Sequence, residues 1–157
     1  IRAYALSDAR SYHALHLYGQ HYTSYTKYLR GLVRRLGLSS SHVVFHEGIC
    51  KDDLVKACNQ ALLLLHGSYT ECQPLVILDS LASGTPFIAR KTGCIPFIKG
   101  GLSVSSPRQM ASCIDQFVFS PREWDRLASE ARIQAMTTYH PDLYAKSIVS
   151  LVSKALP

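Results

Sequence analysis

Several features that would assign a chain to a class are missing from this sequence. The longest uninterrupted aliphatic run is about five residues, whereas a helix needs about 20 apolar residues to cross a bilayer. No charged-then-apolar signal segment opens the chain. Its five cysteines form no C-x-x-C pair and have no histidine at zinc-ligand spacing. These absences favour a reduced, cytoplasmic protein over a membrane-spanning or disulfide-stapled one.

What the sequence does contain is ordinary for a globular domain. Its 157 residues are 47% hydrophobic and 18% charged, which is enough to bury a sizeable core. Because no internal repeat or low-complexity linker occurs, we predict one domain over residues 1–157. The chain opens with Ile1 and not with methionine, so we expect it to be part of a longer protein.

The net charge of +6 predicts affinity for an anionic partner, such as a nucleotide phosphate or an acidic membrane face. Part of this charge forms a stripe at helical spacing: Lys27, Arg30, Arg34 and the neighbouring Arg35. The stripe is either a solvated outer face or a surface for anionic lipid head groups or a partner domain. Nucleic acid is disfavoured because no aromatic-interleaved basic motif accompanies the charge. The scattered histidines favour surface roles over metal binding.

Short apolar segments alternate with helical patterns along most of the chain. We leave residues 1–10 unassigned and predict strands at about residues 13–19, 42–47, 61–66, 86–90 and 102–105. This alternation indicates right-handed crossovers, and hence a parallel sheet covered by helices on both faces. The expected fold is α/β: a Rossmann-like, doubly wound, three-layer α/β/α architecture.

Ligands of such folds bind beyond the carboxyl ends of the parallel strands. The loops after the first four predicted strands each contain a glycine: Gly19, Gly48, Gly67 and Gly93. Glycine lets a backbone approach a ligand closely, although it is also the commonest loop residue. We therefore expect these four loops to share one rim.

The chain is organised around residues 61–91, which read as strand, loop, helix and strand. Pro74 is predicted to be the first helical residue, since that position needs no N–H. The free N–H groups of Leu75, Val76 and Ile77 would then face any anion at the helix start, where the dipole is positive. The sequence predicts a phosphate site at this helix terminus.

This unit contains two acidic residues, and each has two possible interpretations. Glu71, just before the helix, is either an acid stabilised by the helix dipole or an acceptor for hydroxyls on a group attached to the phosphate. Asp79, one turn after Leu75, either lies on an exposed face or accepts hydrogen bonds from a ribose diol. From the residues alone the exposed role of Asp79 is favoured.

The run from Ser68 to Ala89 resembles the acid-x7-acid signature in the carboxyl-terminal domain of retaining GT-B glycosyltransferases of the group 1 family. Matches to the family pattern fall at Ser68, Glu71, Pro74, Leu75, Leu78, Leu81, Ala82, Gly84 and Pro86. Further matches follow the family's order: L-x-L-Y-G from Leu15, Leu36-Gly37-Leu38, V-x-F-x-x-G from Val43, and G-C-I-P from Gly93. The resemblance covers about residues 15–119.

The resemblance implies half of a GT-B fold that binds a nucleoside-diphosphate sugar and transfers a hexosyl group with retention. It implies that Glu71 is catalytic, close to the donor sugar, and that Asp79 binds the ribose. No metal and no cofactor beyond the sugar nucleotide is implied. The implied donor-binding residues are Gly19, Gln20, Gly48, Ile49, Ser68, Cys72, Gln73, Pro74, Leu75, Val76 and Asp79. The implied partner is the protein's own amino-terminal acceptor-binding domain, without which this chain is expected to be inactive.

The chain departs from the family pattern at three places. Asp79 stands where glutamate is usual, Cys72 replaces a glycine-type position, and nothing in residues 1–14 matches the loop that supplies the diphosphate-binding Arg and Lys. These departures leave an alternative: a non-catalytic, glycosyltransferase-like module for assembly or peripheral membrane docking. A nicotinamide dehydrogenase is disfavoured, because no G-x-G-x-x-G follows the first strand.

Overall fold

The computed structural model describes residues 1–155. The strands are β1 Leu15–Gly19, β2 Val43–Glu47, β3 Leu64–His66, β4 Phe87–Arg90 and β5 Gly101–Val104. The helices are α1 Arg2–Leu6, α2 Ser24–Arg35, α3 Lys51–Gln60, α4 Leu75–Ser83, α5 Pro107–Phe119, α6 Pro121–Thr137 and α7 Pro141–Ala155, with 3-10 turns at Asp8–Ser11 and Ile95–Phe97. The α/β class and the alternation of strands and helices are confirmed.

Every strand pairing is parallel, but the strands form two sheets. One sheet has the order β1-β2, with Leu15 opposite Val43, and the other has the order β3-β4-β5, with Leu64 opposite Phe87. Within residues 1–155, β1 has no hydrogen-bonded strand on its second edge, and neither does β3. The single five-stranded sheet expected from the sequence is therefore present as two parallel halves.

Helices cover both faces of the two sheets, as a three-layer fold requires. On one face, called the α1 face, α1 packs Tyr4 and Ala5 with Val33 of α2 and with β1 and β2. The same short helix packs Ala3 with α5 and with β3 and β4. On the opposite face, called the α4 face, Ile77 and Leu81 of α4 pack against Phe87 and Ala89. Helix α1 thus holds the two sheets together from one side.

The structure corrects some predicted boundaries. The unassigned residues 1–10 contain α1, which the pattern missed because five residues are too few for a readable period. Strand β3 begins at Leu64 and not at Ala61, since α3 runs to Gln60 and Ala61 is its C-cap. Pro74 is the N-cap of α4, which begins one residue later than predicted. The predicted end of the last helix, Leu156, lies outside the described residues.

Gly84 is the C-cap of α4. Its φ of 68° is in the left-handed region, where a residue with a Cβ is strained. The following turn is held by the Ser80 hydroxyl, which donates to the Thr85 carbonyl at 2.6 Å. Thr85 in turn donates through Oγ1 to the Cys58 carbonyl at 2.7 Å. This turn fixes α4 to α3 on the α4 face and sets the direction in which the start of α4 points.

Candidate functional site

A mostly apolar cavity of about 590 Å³ opens on the α4 face, between the end of β1 and helices α3 and α4. Its lining includes Tyr18, Gly19 and Gln20 from the end of β1, Ile49, Lys51, Leu54 and Cys58 from the loop before α3 and from α3, and Val76 and Ser80 from α4. A pocket of this size and lining, with a few polar groups at its mouth, is typical of a small-molecule site. We call it the rim cavity.

Two loops at the mouth of the rim cavity are joined by a hydrogen bond. The Gly48 N–H donates to the Gln20 carbonyl at 3.2 Å, and the φ of Gly48 is 67°. Because this φ is strained for residues with a Cβ, glycine is required for the turn that brings Ile49 onto the cavity. The tertiary contact therefore places the predicted loops at Gly19-Gln20 and Gly48-Ile49 side by side.

An aromatic stack lies along the same end of β1 and β2. Tyr18 and His46 are stacked with centroids 4.5 Å apart, and His16 Nδ1 lies 2.8 Å from His46 Nε2. Both Tyr18 and His16 line the rim cavity. The stack gives the mouth of the cavity a flat aromatic wall, which the sequence pattern did not reveal because its members come from two strands.

Glu71 is held in the loop between β3 and α4 by a histidine that the sequence analysis overlooked. His66 Nε2 lies 3.1 Å from Glu71 Oε1, and the two side chains are 16% and 26% exposed. A carboxylate can only accept hydrogen bonds, so Nε2 of His66 carries the proton in this contact. The position of His66 at the carboxyl end of a predicted strand was the available signal. The contact orients the Glu71 carboxylate, whose second oxygen makes no hydrogen bond within residues 1–155.

The same loop is fixed from the other side by the turn after β4. Gly93 has a φ of 52°, and a Cβ there would lie 2.2 Å from the Glu71 carbonyl oxygen. The Cys94 N–H donates to the Cys72 carbonyl at 3.0 Å, and Thr92 Oγ1 donates to the Tyr69 carbonyl at 3.3 Å. The G-C-I-P motif thus acts as a buttress for the backbone on either side of Glu71.

Helix α4 begins at this loop with unpaired backbone donors. The Ile77 N–H donates to the Pro74 carbonyl at 3.1 Å, so this group is used within the first turn. Among the described residues, the N–H groups of Leu75 and Val76 have no hydrogen-bond partner at the start of the helix. The Leu75 side chain is 73% exposed, while Val76 lines the rim cavity. Of the three N–H groups considered for an anion, the structure engages that of Ile77.

Asp79 is exposed on α4, one turn further along. Burial, together with the nearby Asp79 charge, raises the pKa of the Cys58 thiol, and Cys58 lines the rim cavity. The Asp79 carboxylate is therefore close to one wall of the cavity, although it is not part of the lining. This position is compatible with either of the two readings of Asp79.

The structure brings some of the predicted site residues together and leaves others apart. Gly19, Gln20, Ile49 and Val76 line the rim cavity, and Gly48 joins them by its hydrogen bond. The remaining predicted residues are outside the lining of the cavity and lie in the loop before α4 or in α4 itself: Ser68, Glu71, Cys72, Gln73, Pro74, Leu75 and Asp79.

Two cations stand at this rim that the sequence analysis did not select. Lys51, the first residue of α3, lines the rim cavity. Arg90, the last residue of β4, lies with its guanidinium carbon 3.9 Å from the ring centroid of Tyr69 in the Glu71 loop. Lys51 comes three residues after Gly48, and Arg90 stands at the carboxyl end of a strand, which were the signals available in the sequence.

The basic stripe on α2 is only partly free. Arg30 forms an ion pair with Glu47 at 3.2 Å and covers the Phe45 ring at 4.5 Å, so it belongs to the packing of α2 on β2. Lys27 and Arg34 are exposed and, among the described residues, form no ion pair. Within residues 1–155, no helix has the length and apolar character of a membrane span, and no three His, Cys, Asp or Glu side chains cluster as a metal site.

Comparison with known proteins gives a family match over most of the chain. The model of the family described as "Glycosyl transferases group 1" matches residues 1–120. A relative from Streptomyces griseus subsp. griseus, a D-inositol 3-phosphate glycosyltransferase, is 29% identical over 115 residues, which are 69% of this chain and 24% of that protein. The chain therefore spans about a quarter of the length of this relative.

Solved structures give the same result for the fold. HepE from Anabaena, crystallised in complex with UDP-glucose, superposes with a TM-score of 0.84 at 22% identity, over 97% of this chain and 43% of that one. The carboxyl-terminal domain of a glycosyl transferase group 1 family protein from Francisella tularensis superposes with a TM-score of 0.74 at 21% identity, over 88% of this chain and 76% of that one. The likeness extends over nearly the whole described chain.

Proposed function

The chain belongs to the group 1 glycosyltransferases, and from this premise we propose that it is the carboxyl-terminal, donor-binding domain of a retaining GT-B enzyme. The observation that carries the proposal is Glu71, held by His66 at 3.1 Å beside the start of α4 and next to the rim cavity. The neighbour crystallised with UDP-glucose supports a nucleoside-diphosphate sugar as the donor. The reaction is transfer of a hexosyl group from this donor to an acceptor.

The rim cavity is the place proposed for the nucleoside. Its lining is largely apolar, and Tyr18 and His46 offer stacked rings at its mouth, which suits a planar base. Asp79 lies close to the Cys58 wall, where its carboxylate can accept from the ribose hydroxyls directly or through a water molecule. The side chain of a glutamate would reach about one methylene further than that of Asp79. For a direct hydrogen bond to Asp79, the ribose must therefore lie closer to α4.

The diphosphate is assigned to the start of α4. The N–H groups of Leu75 and Val76 and the positive end of the helix dipole would stabilise its charge, and Lys51 adds a cation from the opposite wall. As the glycosidic bond breaks, negative charge grows on the departing diphosphate. Fixed donors aimed at that charge lower the barrier, because they need no reorganisation during the reaction.

Glu71 is assigned to the donor sugar. Its loop is fixed by His66 on one side and by Gly93 on the other, so the carboxylate can accept from sugar hydroxyls without itself moving. We assign His66 the part of a positioning residue. Transfer with retention is proposed to proceed with electrostatic stabilisation of the leaving group, without a protein nucleophile and without a metal ion.

The acceptor is proposed to bind to a second, amino-terminal domain of the same protein, on the cytoplasmic side of a membrane. On this account residues 1–157 bind the donor but do not transfer the sugar by themselves. The Streptomyces griseus relative and Anabaena HepE, of which this chain covers 24% and 43%, support a larger whole.

Isothermal titration of the chain against UDP, GDP and ADP, and against a hexose conjugate of each, tests the proposal. One nucleoside should give saturable heat, and its sugar conjugate should bind more tightly than the bare diphosphate. A folded sample that gives no heat with any of the six compounds would refute the proposed function.

Three variants test the division of roles. Lys51→Ala should weaken the diphosphate and its sugar conjugate alike, by roughly tenfold for a charge-assisted contact worth about 1.5 kcal/mol. Lys56→Ala is the matched control on the same helix, since Lys56 is exposed and absent from the cavity lining. Glu71→Gln should abolish the extra affinity that the sugar confers and leave binding of the bare diphosphate unchanged. An equal loss for both compounds would remove Glu71 from the sugar subsite.

Peripheral docking on an anionic membrane is the second candidate. It is favoured by exposed Lys27 and Arg34 on α2 beside Tyr22 and Tyr25, which are 57% and 64% exposed. Co-sedimentation with phosphatidylserine vesicles should show binding that is lost in high salt and in the variant K27E/R34E. Binding that is absent, or the same for this variant, excludes the surface.

A further inference from the structure

Two of the five cysteines contact each other through their backbones. The Cys94 N–H donates to the Cys72 carbonyl at 3.0 Å, and both thiols are free. The covalent bonds on either side of this hydrogen bond limit the separation of the two Cα atoms to about 7 Å. Cysteines whose Cα atoms are further apart than about 7 Å cannot be bridged without backbone movement. Cys72 and Cys94 therefore lie within the backbone distance that a disulfide requires.

The other three cysteines are held elsewhere in the fold. The Cys50 thiol donates to Asp53 at the start of α3, and Cys58 lies further along the same helix. The eight residues between them span about 12 Å of helix, which is too far for a disulfide. Cys113 packs on the α1 face, in α5. Within residues 1–155, Cys72 and Cys94 are the one cysteine pair joined by a hydrogen bond between different segments.

The two segments that carry these thiols lie side by side over several residues. Thr92 Oγ1 donates to the Tyr69 carbonyl at 3.3 Å. A Cβ on Gly93 would overlap the Glu71 carbonyl oxygen, so these two backbones are in direct contact. Successive residues of the turn after β4 thus contact successive parts of the Glu71 loop. The register of the cysteine pair is set by contacts that do not involve sulfur.

The two thiols differ in exposure in the way that an oxidation site requires. Cys72 is exposed, so a reagent in solution can reach it. Cys94 is half-buried and packs against the apolar cluster of the α4 face. Thiols that respond to oxidants are commonly solvent-accessible and have a second cysteine beside them, which converts the first product into a disulfide. In this arrangement Cys72 is the residue attacked first and Cys94 is its resolving partner.

We propose that Cys72 and Cys94 form a redox modification site, at which a small disulfide such as oxidised glutathione joins them in a disulfide bond. The Cys72 thiolate attacks one sulfur of oxidised glutathione, forming a mixed disulfide and releasing one glutathione thiolate. The Cys94 thiolate then attacks the Cys72 sulfur and releases the second glutathione. The two protein thiols lose two electrons and two protons, and oxidised glutathione gains both as it becomes two thiols.

The disulfide locks the Glu71 loop onto the turn at Gly93. It encloses residues 72–94, which contain α4 and β4, and one of its ends directly follows Glu71. In a reducing compartment the pair stays open until an oxidant reaches it. A loop of this length that is closed by a disulfide restricts the unfolded chain, so oxidation should raise the Tm by roughly 5–10 °C. None of these steps requires the donor to bind.

The test is oxidation of the folded chain with oxidised glutathione, followed by an acid quench and mass spectrometry. The product should weigh less than the parent by two hydrogen atoms. Trypsin leaves Cys72 on peptide 57–90 and Cys94 on peptide 92–99, so the unreduced digest should contain these two peptides as one linked species. Peptide 57–90 also contains Cys58, so Cys58→Ser is the matched control and should give the same linked species. The Tm of the oxidised chain should rise by roughly 5–10 °C and return after reduction.

Two further variants separate the two chemical steps. Cys94→Ser should stop at a glutathione adduct on Cys72, because the first attack can occur and the second cannot. Cys72→Ser should give no intramolecular disulfide. A parent chain that also stops at the glutathione adduct, or a linked species that persists in Cys94→Ser or disappears in Cys58→Ser, overturns the proposal. A disulfide that forms only between chains, or one that leaves the Tm unchanged, overturns it equally.

Discussion

Replacing Gly93 by alanine should uncouple the Glu71 loop from its support. The new Cβ would lie 2.2 Å from the Glu71 carbonyl oxygen, where an ordinary contact requires 3.4 Å or more. The two backbones must therefore separate by about 1 Å, and a φ of 52° is itself strained for alanine. Glu71 carries its carboxylate on the segment that has to move.

The expected loss of stability comes from two sources. A left-handed φ costs an alanine about 1–2 kcal/mol, and a displaced loop forfeits the Cys94 to Cys72 hydrogen bond, worth about 1 kcal/mol. We expect a total of about 2–3 kcal/mol. For a chain of this length that corresponds to a fall of about 5–10 °C in Tm.

The assay combines urea denaturation with titration of the sugar nucleotide. The unfolding midpoint should fall with an unchanged m value, since the surface exposed on unfolding is the same. The ratio between the affinity for the sugar nucleotide and that for the bare diphosphate should fall about tenfold or more, because a displacement of the Glu71 carboxylate by about 1 Å weakens its contact with the sugar. Binding of the bare diphosphate should fall less.

Gly67→Ala is the matched control in the neighbouring loop. Gly67 is exposed, its φ is not in the left-handed region, and a Cβ there would meet nothing within 4 Å. It should leave stability unchanged and should lower the affinity far less than Gly93→Ala, because its Cβ meets no neighbouring atom. If Gly93→Ala behaves like Gly67→Ala, the buttress at the Glu71 loop does not exist and the positioning argument fails.

Two further predictions concern the core and the site. The Asp115 carboxylate accepts from the Ser7 hydroxyl at 2.5 Å and from the Ala9 N–H at 3.0 Å. Asp115→Ala should lower the free energy of unfolding, measured by chemical denaturation, by about 1–3 kcal/mol, because the fully buried Ser7 hydroxyl loses its acceptor. A loss below about 0.5 kcal/mol would contradict this prediction. At about pH 7.5 iodoacetamide should modify the exposed Cys72 well before Cys113. Burial raises the pKa of the Cys113 thiol, so the thiolate fraction of Cys113 and its rate of modification should increase only at higher pH. The nucleotide that binds should protect Cys72 and leave Cys113 unaffected; the reverse pattern would place the ligand elsewhere.

Much of the fold could be read from local pattern. Glycine and proline marked the ends of α4 and α5, and the apolar runs marked β2 and β4, because these signals act within a few residues. The loop glycines at 48 and 93 were selected as ligand-approach candidates, and both have a positive φ. What the pattern did not show was their actual use: Gly48 joins two loops, and Gly93 supports the backbone of Glu71.

Contacts between distant segments escaped the sequence analysis. His66 was overlooked because its role depends on a loop that folds back five residues later, and Arg90 because its partner Tyr69 lies on another loop. Arg30 was counted in a free basic stripe, whereas the structure engages it with Glu47 and Phe45. Each of these depends on distances that periodicity does not encode.

The sequence by itself determined the α/β class, the succession of strands and helices that makes the strands parallel, and the position where α4 begins. These features depend on periodicity, capping and turn residues, which act locally. The tertiary structure decided which of those parts meet. It placed the loops at Gly19 and Gly48 around one cavity and turned Glu71 toward His66. Such features arise from packing and long-range pairing, and these are fixed only when the whole chain has folded.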